Sequence, residues 1–168
     1  FKDSSLSNLN TKNNLLDLYT KKKIEGDGNC LFRAILYSLF KNDDEHAELR
    51  NDVCDYMLAH RSDFDGFIIE EGTFNDYIER KRIVGLEWGD QLELIAASQI
   101  LQFNFVVYSS ESLNIRYQHH YTSIFPTIYL EFYGNNHYDV LFPKQTKINI
   151  KLKKADNNDM KESTYSKR

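Results

Sequence analysis

The sequence lacks the features that define membrane proteins, nucleic-acid-binding proteins and disulfide-rich secreted proteins. No apolar run approaches the roughly 20 residues that span a bilayer, so we expect no membrane segment in this chain. The formal net charge of -4 provides no overall basic field, which argues against a nucleic-acid partner. Two cysteines are too few for a disulfide framework, and they favour a reducing, cytoplasmic site of action.

What the sequence does contain is enough apolar and aromatic material for one domain. Its 168 residues are 41% hydrophobic and 14% aromatic, which fits one sizeable core and excludes a wholly disordered chain. The chain begins at Phe1 without a methionine, so we expect it to be a piece of a longer protein. Its many Asn, Lys and Ile residues are typical of an AT-rich genome, as in a parasite or intracellular bacterium, where a host-directed effector would fit.

Helices are predicted in the first part of the chain and strands in the last part. Apolar residues at helical spacing predict helices over residues 30–40 and near residues 43–60, a shorter helix capped by Thr73, and a helix capped by Asp90. Alternating β-branched and aromatic runs then predict four strands, the last two joined as a hairpin: 103–108, 115–117, 127–133 and 137–142. Helices followed by strands indicate an α+β domain with helices packed around a small sheet.

The two ends of the chain are more polar than its centre. Residues 1–20 are predicted to form a lead-in segment, because they are rich in Ser, Asn and Lys. Beyond Pro143 the composition turns to Lys, Asn and Asp, so residues 144–168 are predicted to be a polar, lysine-rich tail or an appended helix. The domain itself is therefore expected to occupy residues 21–143.

Cys30 stands where a polar, glycine-bearing turn gives way to a strongly apolar helix. A cysteine in the first turn of a helix lies close to unpaired backbone amides, whose partial positive charge lowers the thiol pKa and can bind an oxyanion. We therefore expect Cys30 to be a nucleophile with a lowered pKa. The alternative is a small buried hydrophobic residue. Cys54 fits that alternative, because it borders the apolar face of the second predicted helix.

A nucleophilic cysteine needs a base, and His137 is the strongest candidate among the five histidines. It begins a predicted strand after a Gly-Asn-Asn loop, and Asp139 follows on the same face, with the two Cα atoms about 6.6 Å apart. A carboxylate there can hold one ring nitrogen of the imidazole and leave the other for the thiol. The alternative is a partly exposed hairpin histidine without a catalytic role.

The remaining histidines do not suggest a metal site. His46 and His60 lie near helix ends and are expected at the surface, whereas the adjacent His119 and His120 point to opposite faces of a strand. The cysteines lack CxxC spacing and no HxxxH spacing occurs, which disfavours zinc. We therefore expect no metal ligands.

Three blocks of sequence occur in an order that resembles the ovarian-tumour (OTU) family of cysteine proteases. They are Asp-Gly-Asn-Cys-Leu-Phe-Arg-Ala at 27–34, Trp-Gly-Asp at 88–90 with Glu-Leu at 93–94, and Asn-His-Tyr-Asp at 136–139. The resemblance implies a papain-like OTU fold of the α+β class, with a small, mostly antiparallel sheet flanked by helices. It also implies a deubiquitinase that hydrolyses ubiquitin isopeptide bonds without a cofactor. Its partners would be ubiquitin or polyubiquitin chains and ubiquitinated proteins.

Applied residue by residue, the resemblance gives Cys30 the nucleophile position and His137 the general-base position. Asp139 matches the acidic or amide residue that orients the histidine. Asp27 belongs to the turn that the family uses for its oxyanion hole and is counted with the active residues. The expected oxyanion site is this turn, formed by Asp27, Gly28, Asn29 and Cys30.

Further residues are candidates for substrate contact, each with a plainer alternative. They are Trp88, Asn136, Glu70 and Glu71. Trp88 is expected to pack beside the catalytic helix rather than to touch substrate, and Asn136 fits a turn residue of positive φ equally well. The two glutamates are placed to receive the basic ubiquitin tail, although a charge run is usually a solvated surface.

Two other functions stay open at this point. The chain could be a ubiquitin-binding domain without turnover, or a protease for another ubiquitin-like modifier. The complete set of Cys30, His137 and Asp139 argues against the first, and the sequence does not decide the second.

Overall fold

The computed structural model of this protein describes residues 14–68, 72–110, 113–134 and 136–145. The helices are α1 (Leu15–Leu18), α2 (Cys30–Phe40), α3 (His46–Ala59), α4 (Phe74–Arg82) and α5 (Gln91–Leu101). The strands are β1 (Tyr19–Lys22), β2 (Asn104–Ser109), β3 (Ile115–His119), β4 (Thr127–Tyr133) and β5 (His137–Pro143). Among the described residues, no helix is long and apolar enough to cross a membrane.

The strands form one sheet in the order β1-β5-β4-β2-β3. Strand β2 runs parallel to β4, and the other neighbouring pairs of this sheet are antiparallel. The β4–β5 hairpin places Glu131 opposite Asp139 and Tyr133 opposite His137. The predicted α+β class, the mostly antiparallel sheet and the hairpin are therefore confirmed. Because β5 lies between β1 and β4, the strand that carries His137 is internal to the sheet.

Helix α2 is a central element of the core, as its apolar sequence predicts. It begins at Cys30 and packs against β5. Phe32 and Ile35 of α2 are buried in the same cluster as Val140 of β5. Burying such a side chain contributes roughly 1.5 to 3 kcal/mol. This packing holds the first turn of α2 in place relative to the hairpin.

Three of the four predicted helix starts are confirmed, and α3 begins three residues after its predicted position. The Thr73 hydroxyl accepts a hydrogen bond from the first turn of α4, and the Glu93 carboxylate in α5 accepts from the amide of Asp90 at 2.7 Å. Helix α3 begins at His46 rather than at residue 43. The residues before it form a turn, in which the Asp43 carbonyl accepts from the His46 amide at 3.3 Å.

Sequence patterns do not predict α1 or β1. Leu15 of α1 is completely buried, and β1 pairs with β5 so that Lys21 lies opposite Leu141. The predicted boundary after residue 20 falls inside β1. The run Tyr-Thr-Lys-Lys is too short to show an alternating pattern, so only its pairing with β5 identifies the strand. Residues 1–13 of the predicted lead-in and residues 146–168 of the predicted tail lie outside the described residues.

Candidate active site

Cys30 is the first residue of α2, and its side chain is buried. Its Sγ donates a hydrogen bond to the carbonyl oxygen of Asn136 at 3.4 Å. Asn136 directly precedes His137, so this contact joins the start of α2 to the loop end of the β4–β5 hairpin. The structure thus brings the predicted nucleophile to the strand that carries the predicted base.

Burial raises the pKa of the Cys30 thiol above its ordinary value. The backbone amides of Tyr138, Leu31 and Cys30 itself act in the opposite direction, and the charge of Asp27 adds to the increase. The expectation of a lowered pKa, made from the sequence, is therefore wrong. A helix N-terminus does stabilise the sulfur, but the local pattern does not reveal that the thiol is removed from water.

The side chains of His137 and Asp139 meet on β5. His137 Nε2 lies 3.2 Å from Asp139 Oδ1. Asp139 is completely buried, and the same Oδ1 accepts from the amide of Ile24 at 2.8 Å. Because an ionised carboxylate can only accept, this contact assigns the proton of a neutral ring to Nε2 and leaves Nδ1 as the acceptor. Gly26 lies beside that nitrogen, since a Cβ there would come within 3.4 Å of Nδ1.

Asp27 shapes the turn of residues 26–29, which we call the nucleophile turn. Its Oδ1 accepts from the amide of Asn29 at 3.0 Å, and its Oδ2 accepts from Arg33 Nε and Nη2 at 3.0 and 2.8 Å. Burial disfavours the charged form of Asp27, but the hydrogen bonds from Arg33 and Asn29 outweigh it and hold the pKa of Asp27 well below its usual range. The amide of Asn29 is thus already engaged. This corrects the predicted oxyanion site, in which Asn29 was one of the donors.

Gly28 lets the nucleophile turn approach a second segment, residues 83–89, which follows α4 and which we call the cleft wall. The φ of Gly28 is +83°, and a Cβ on it would lie 2.8 Å from the Cα of Gly85. Gly85 has a φ of +78°, and a Cβ there would lie 3.2 Å from the carbonyl oxygen of Asp27. Two glycines therefore permit a contact of backbone against backbone, which a side chain at either position would strain.

A cleft of about 380 Å³ opens along the cleft wall and reaches the loop end of the β4–β5 hairpin. Its lining includes Leu86, Trp88, Arg116, Phe132 and Asn136. Trp88 is 51% exposed. The tight contact with α2 is made by its neighbour Gly89, where a Cβ would lie 2.5 Å from Leu31 Cδ2. The indole of Trp88 thus lies at the border of the cleft, and the backbone that follows it packs on the helix.

Asn136 and the two glutamates complete the set of predicted substrate contacts. Asn136 contributes its carbonyl oxygen to the Cys30 thiol. Glu70 and Glu71 lie outside the described residues. Across the described part of the chain, no group of His, Cys, Asp and Glu side chains is arranged to hold a metal ion.

Arg50 belongs to this site, although the sequence patterns do not single it out. It is completely buried on α3, and its Nη2 donates to the carbonyl oxygen of Gly28 at 2.8 Å and to Asn29 Oδ1 at 3.0 Å. The sequence does contain one indication that Arg50 is buried. Arg50 falls within the apolar stripe of α3 that contains Leu49 and Val53, and a charge at such a position needs polar partners inside the protein.

The fold and the site together define a class of protein. A cysteine at the start of a buried helix, near a histidine that a buried carboxylate holds on a strand, is typical of papain-like cysteine proteases. The family model described as "OTU-like cysteine protease" matches residues 25–138. This chain therefore belongs to the OTU-like cysteine protease family, and the resemblance seen in its sequence is confirmed.

Individual relatives agree with this assignment. OTU domain-containing protein 4 of Mus musculus is 34% identical over 129 residues, which are 76% of this chain and 11% of that protein. OVARIAN TUMOR DOMAIN-containing deubiquitinating enzyme 9 of Arabidopsis thaliana is 30% identical over 133 residues, 77% of this chain and 38% of that protein. A solved ovarian-tumour domain in complex with ubiquitin matches with a TM-score of 0.63 and 25% identity over 77% of each chain. The chain thus spans well under half of both relatives.

Proposed function

We propose that this domain is a deubiquitinase that hydrolyses ubiquitin isopeptide bonds through Cys30, His137 and Asp139. The observation that carries the proposal is the 3.2 Å contact between His137 Nε2 and the buried Asp139, next to the loop that receives the Cys30 thiol. Ubiquitin is the proposed partner because one relative is named a deubiquitinating enzyme and a similar domain is solved with ubiquitin. We also propose a cytoplasmic site of action, since both cysteines are free thiols.

In the first half of the reaction, His137 Nδ1 takes the proton of the Cys30 thiol. The thiolate attacks the isopeptide carbonyl carbon, and the carbonyl electron pair moves to oxygen to give a tetrahedral oxyanion. As this intermediate collapses, the C–N bond breaks and His137 gives the proton to the leaving lysine amine. A thioester between ubiquitin and Cys30 remains. The buried carboxylate of Asp139 stabilises the imidazolium while it carries the proton.

In the second half, water hydrolyses the thioester. His137 Nδ1 takes a proton from water, the hydroxide attacks the thioester carbonyl, and the proton returns to the sulfur as ubiquitin leaves with a free carboxylate. The oxyanion of both halves would accept from the amides of the nucleophile turn and Cys30, apart from that of Asn29, which Asp27 holds. One such donor is typically worth roughly 3 kcal/mol in the transition state.

The test is the reaction of the protein with ubiquitin that carries a thiol-reactive electrophile at its C-terminus. We expect a covalent adduct on Cys30, detected by intact mass and peptide mapping, and none with Cys30→Ala. Cys54→Ala is the matched control and should react as the wild type does. Cys54 is also buried, and burial raises its pKa to about 11, but it lies within α3 rather than at a helix start. Folded wild-type protein without an adduct would contradict the proposal.

Two further measurements separate the alternatives. Ubiquitin binding without cleavage of any di-ubiquitin would identify a non-catalytic ubiquitin-binding domain. Faster hydrolysis of a fluorogenic derivative of another ubiquitin-like modifier than of ubiquitin would assign a different substrate to the same site. The panel of di-ubiquitins also measures which chain linkage is preferred.

A further inference from the structure

Arg50 joins three parts of the molecule inside the core. Its Nη1 donates to the carbonyl oxygens of Lys81 and Glu87 at 2.8 and 2.9 Å. Its Nη2 donates to the carbonyl oxygen of Gly28 at 2.8 Å and to Asn29 Oδ1 at 3.0 Å. One guanidinium therefore connects α3, the nucleophile turn and the cleft wall.

The contacts of Arg50 indicate positioning rather than ion pairing. Its hydrogen bonds go to uncharged oxygens, and its guanidinium carbon lies 4.5 Å from the centroid of the Phe32 ring. A buried charge is costly unless it is well bonded. The planar fork of arginine can reach several carbonyl oxygens at once, whereas lysine has a single nitrogen. What these bonds secure here is the geometry of two backbone segments.

The bond from Arg50 orients the peptide units next to the nucleophile. A peptide is planar and trans, so its C=O and N–H point in opposite directions. With the Gly28 carbonyl held by Arg50, the amide of Asn29 points the other way and meets Asp27 Oδ1 at 3.0 Å. The next carbonyl, that of Asn29, accepts from the amide of Arg33 at 3.0 Å. The amide of Cys30, on the other side of that peptide, then points out of the helix, and it acts on the Cys30 sulfur beside it.

We propose that Arg50 is a positioning residue for the hydrolysis proposed above, on which this inference rests. It holds the nucleophile turn so that the amide of Cys30 faces the oxyanion, and it fixes the spacing between that turn and the cleft wall. No side chain stands between Gly28 and Gly85 to keep this spacing. Loss of the guanidinium should therefore impair formation of the oxyanion more than the reactivity of the thiol.

The test compares two reactions of one sulfur in a Cys54→Ala background. Hydrolysis of ubiquitin with a fluorogenic C-terminal amide passes through an oxyanion, whereas alkylation by iodoacetamide displaces iodide and forms none. Arg50→Lys keeps the charge and removes the fork of donors. We expect kcat to fall by about 100-fold, as for loss of an oxyanion donor, while KM and the alkylation rate of Cys30 change by less than about threefold.

Arg82→Met is the matched control. Arg82 also ties α4 to α3, through Asp55, but none of its ion pairs involves the nucleophile turn. The Arg82→Met variant should have a lower Tm than the wild type. Its kcat, measured below its own Tm, should equal that of the wild type. An unchanged kcat in folded Arg50→Lys, or equal losses of kcat and alkylation, would overturn the inference. A wild-type protein that hydrolyses no ubiquitin derivative would instead overturn the proposed function, and this inference with it.

A second variant keeps the inference testable if Arg50→Lys does not fold. Asn29→Ala removes one acceptor of the guanidinium and leaves the arginine in place. We expect kcat to fall by about tenfold, the typical effect of one hydrogen bond to a charged group, with the alkylation rate of Cys30 unchanged. A kcat equal to that of the wild type would overturn the inference.

Discussion

The two halves of the candidate site are held by different kinds of contact. His137 and Asp139 lie on β5, which pairs with β1 on one side and β4 on the other, so a backbone ladder fixes this strand half. The turn half, which consists of the nucleophile turn and Cys30, has no ladder. It depends on the Asp27 carboxylate, which accepts hydrogen bonds from the Asn29 amide and from Arg33, and on Arg50, which donates to the carbonyl oxygen of Gly28.

This difference determines how each half should fail. A strand inside a sheet keeps its position when one side chain is removed, because the ladder bonds remain. A turn held by side chains changes its conformation when one of them is lost. Substitutions in the strand half should therefore remove a chemical step, and substitutions in the turn half should misplace groups that are still present.

Asp139→Ala should have the largest effect and should confine it to the strand half. It removes the acceptor of His137 Nε2, so the imidazole loses its fixed tautomer and orientation. We expect kcat to fall by about 10³ to 10⁴-fold, as for loss of the carboxylate role in other triads, with KM nearly unchanged. Steady-state hydrolysis of fluorogenic ubiquitin measures both constants. A full rate in the folded variant would show that Asp139 is not the orienting residue.

Asp139→Asn sharpens this prediction. The amide of Ile24 also donates to Oδ1, so it selects the orientation in which the new side-chain oxygen, and not its nitrogen, faces His137. The new nitrogen would then take the place of Oδ2. We expect a loss of only about tenfold, since the hydrogen bonds persist without the charge. Equal losses for Ala and Asn would mean that the charge, rather than the orientation, is what Asp139 supplies.

Asp27→Ala should have the next largest effect and should act on the turn half. It releases the amide of Asn29 and frees Arg33 from one carboxylate. We expect kcat to fall by about 100-fold, because the donors for the oxyanion are misplaced.

Asp43→Ala is the matched control for this turn variant. Asp43 binds the same guanidinium, at 3.1 Å from Arg33 Nη1, but it makes no bond to the turn. We expect kcat to change by less than about threefold, as is typical of a partly exposed ion pair. If both variants lose activity equally, the charge of Arg33 matters more than the conformation of the turn.

The smallest effect should appear as acid sensitivity of the turn half. Folding lowers the pKa of Asp27 below its unfolded value of about 3.9, so Asp27 stabilises the fold above that pH and loses this contribution as pH falls through the folded-state pKa. The Tm difference between wild type and Asp27→Asn should thus be full at about pH 6 and shrink below about pH 4. Thermal unfolding followed by circular dichroism measures it, and a difference that grows in acid would contradict the assignment.

The same division separates what the sequence predicts from what it does not. The alternation of β5 places His137 and Asp139 on one face, and this follows from neighbouring residues alone. Helix α2, β4 and the hairpin are likewise visible in local patterns, and the structure confirms them. The strand half was therefore predictable, since regular secondary structure converts sequence spacing directly into distance.

The turn half depends on residues that are distant along the chain. Only the folded core brings the guanidinium of Arg50 to the carbonyl of Gly28. The direction of the Cys30 pKa shift depends on burial by other elements, which no local pattern contains, and so the prediction from the helix start alone was wrong. Strand β1 was missed for the same reason, because its partner β5 comes more than a hundred residues later.

The contact between Gly28 and Gly85 limits how this site can be redesigned. Here the backbone of the nucleophile turn touches the backbone of the cleft wall. There is thus no side chain between them that could be replaced to change which substrate the site accepts. The adjustable positions lie farther along the cleft wall, where Leu86 and Trp88 are 59% and 51% exposed. A redesign of substrate preference would therefore vary Leu86 and Trp88. It would keep both glycines, because they set the distance between the nucleophile turn and the cleft wall.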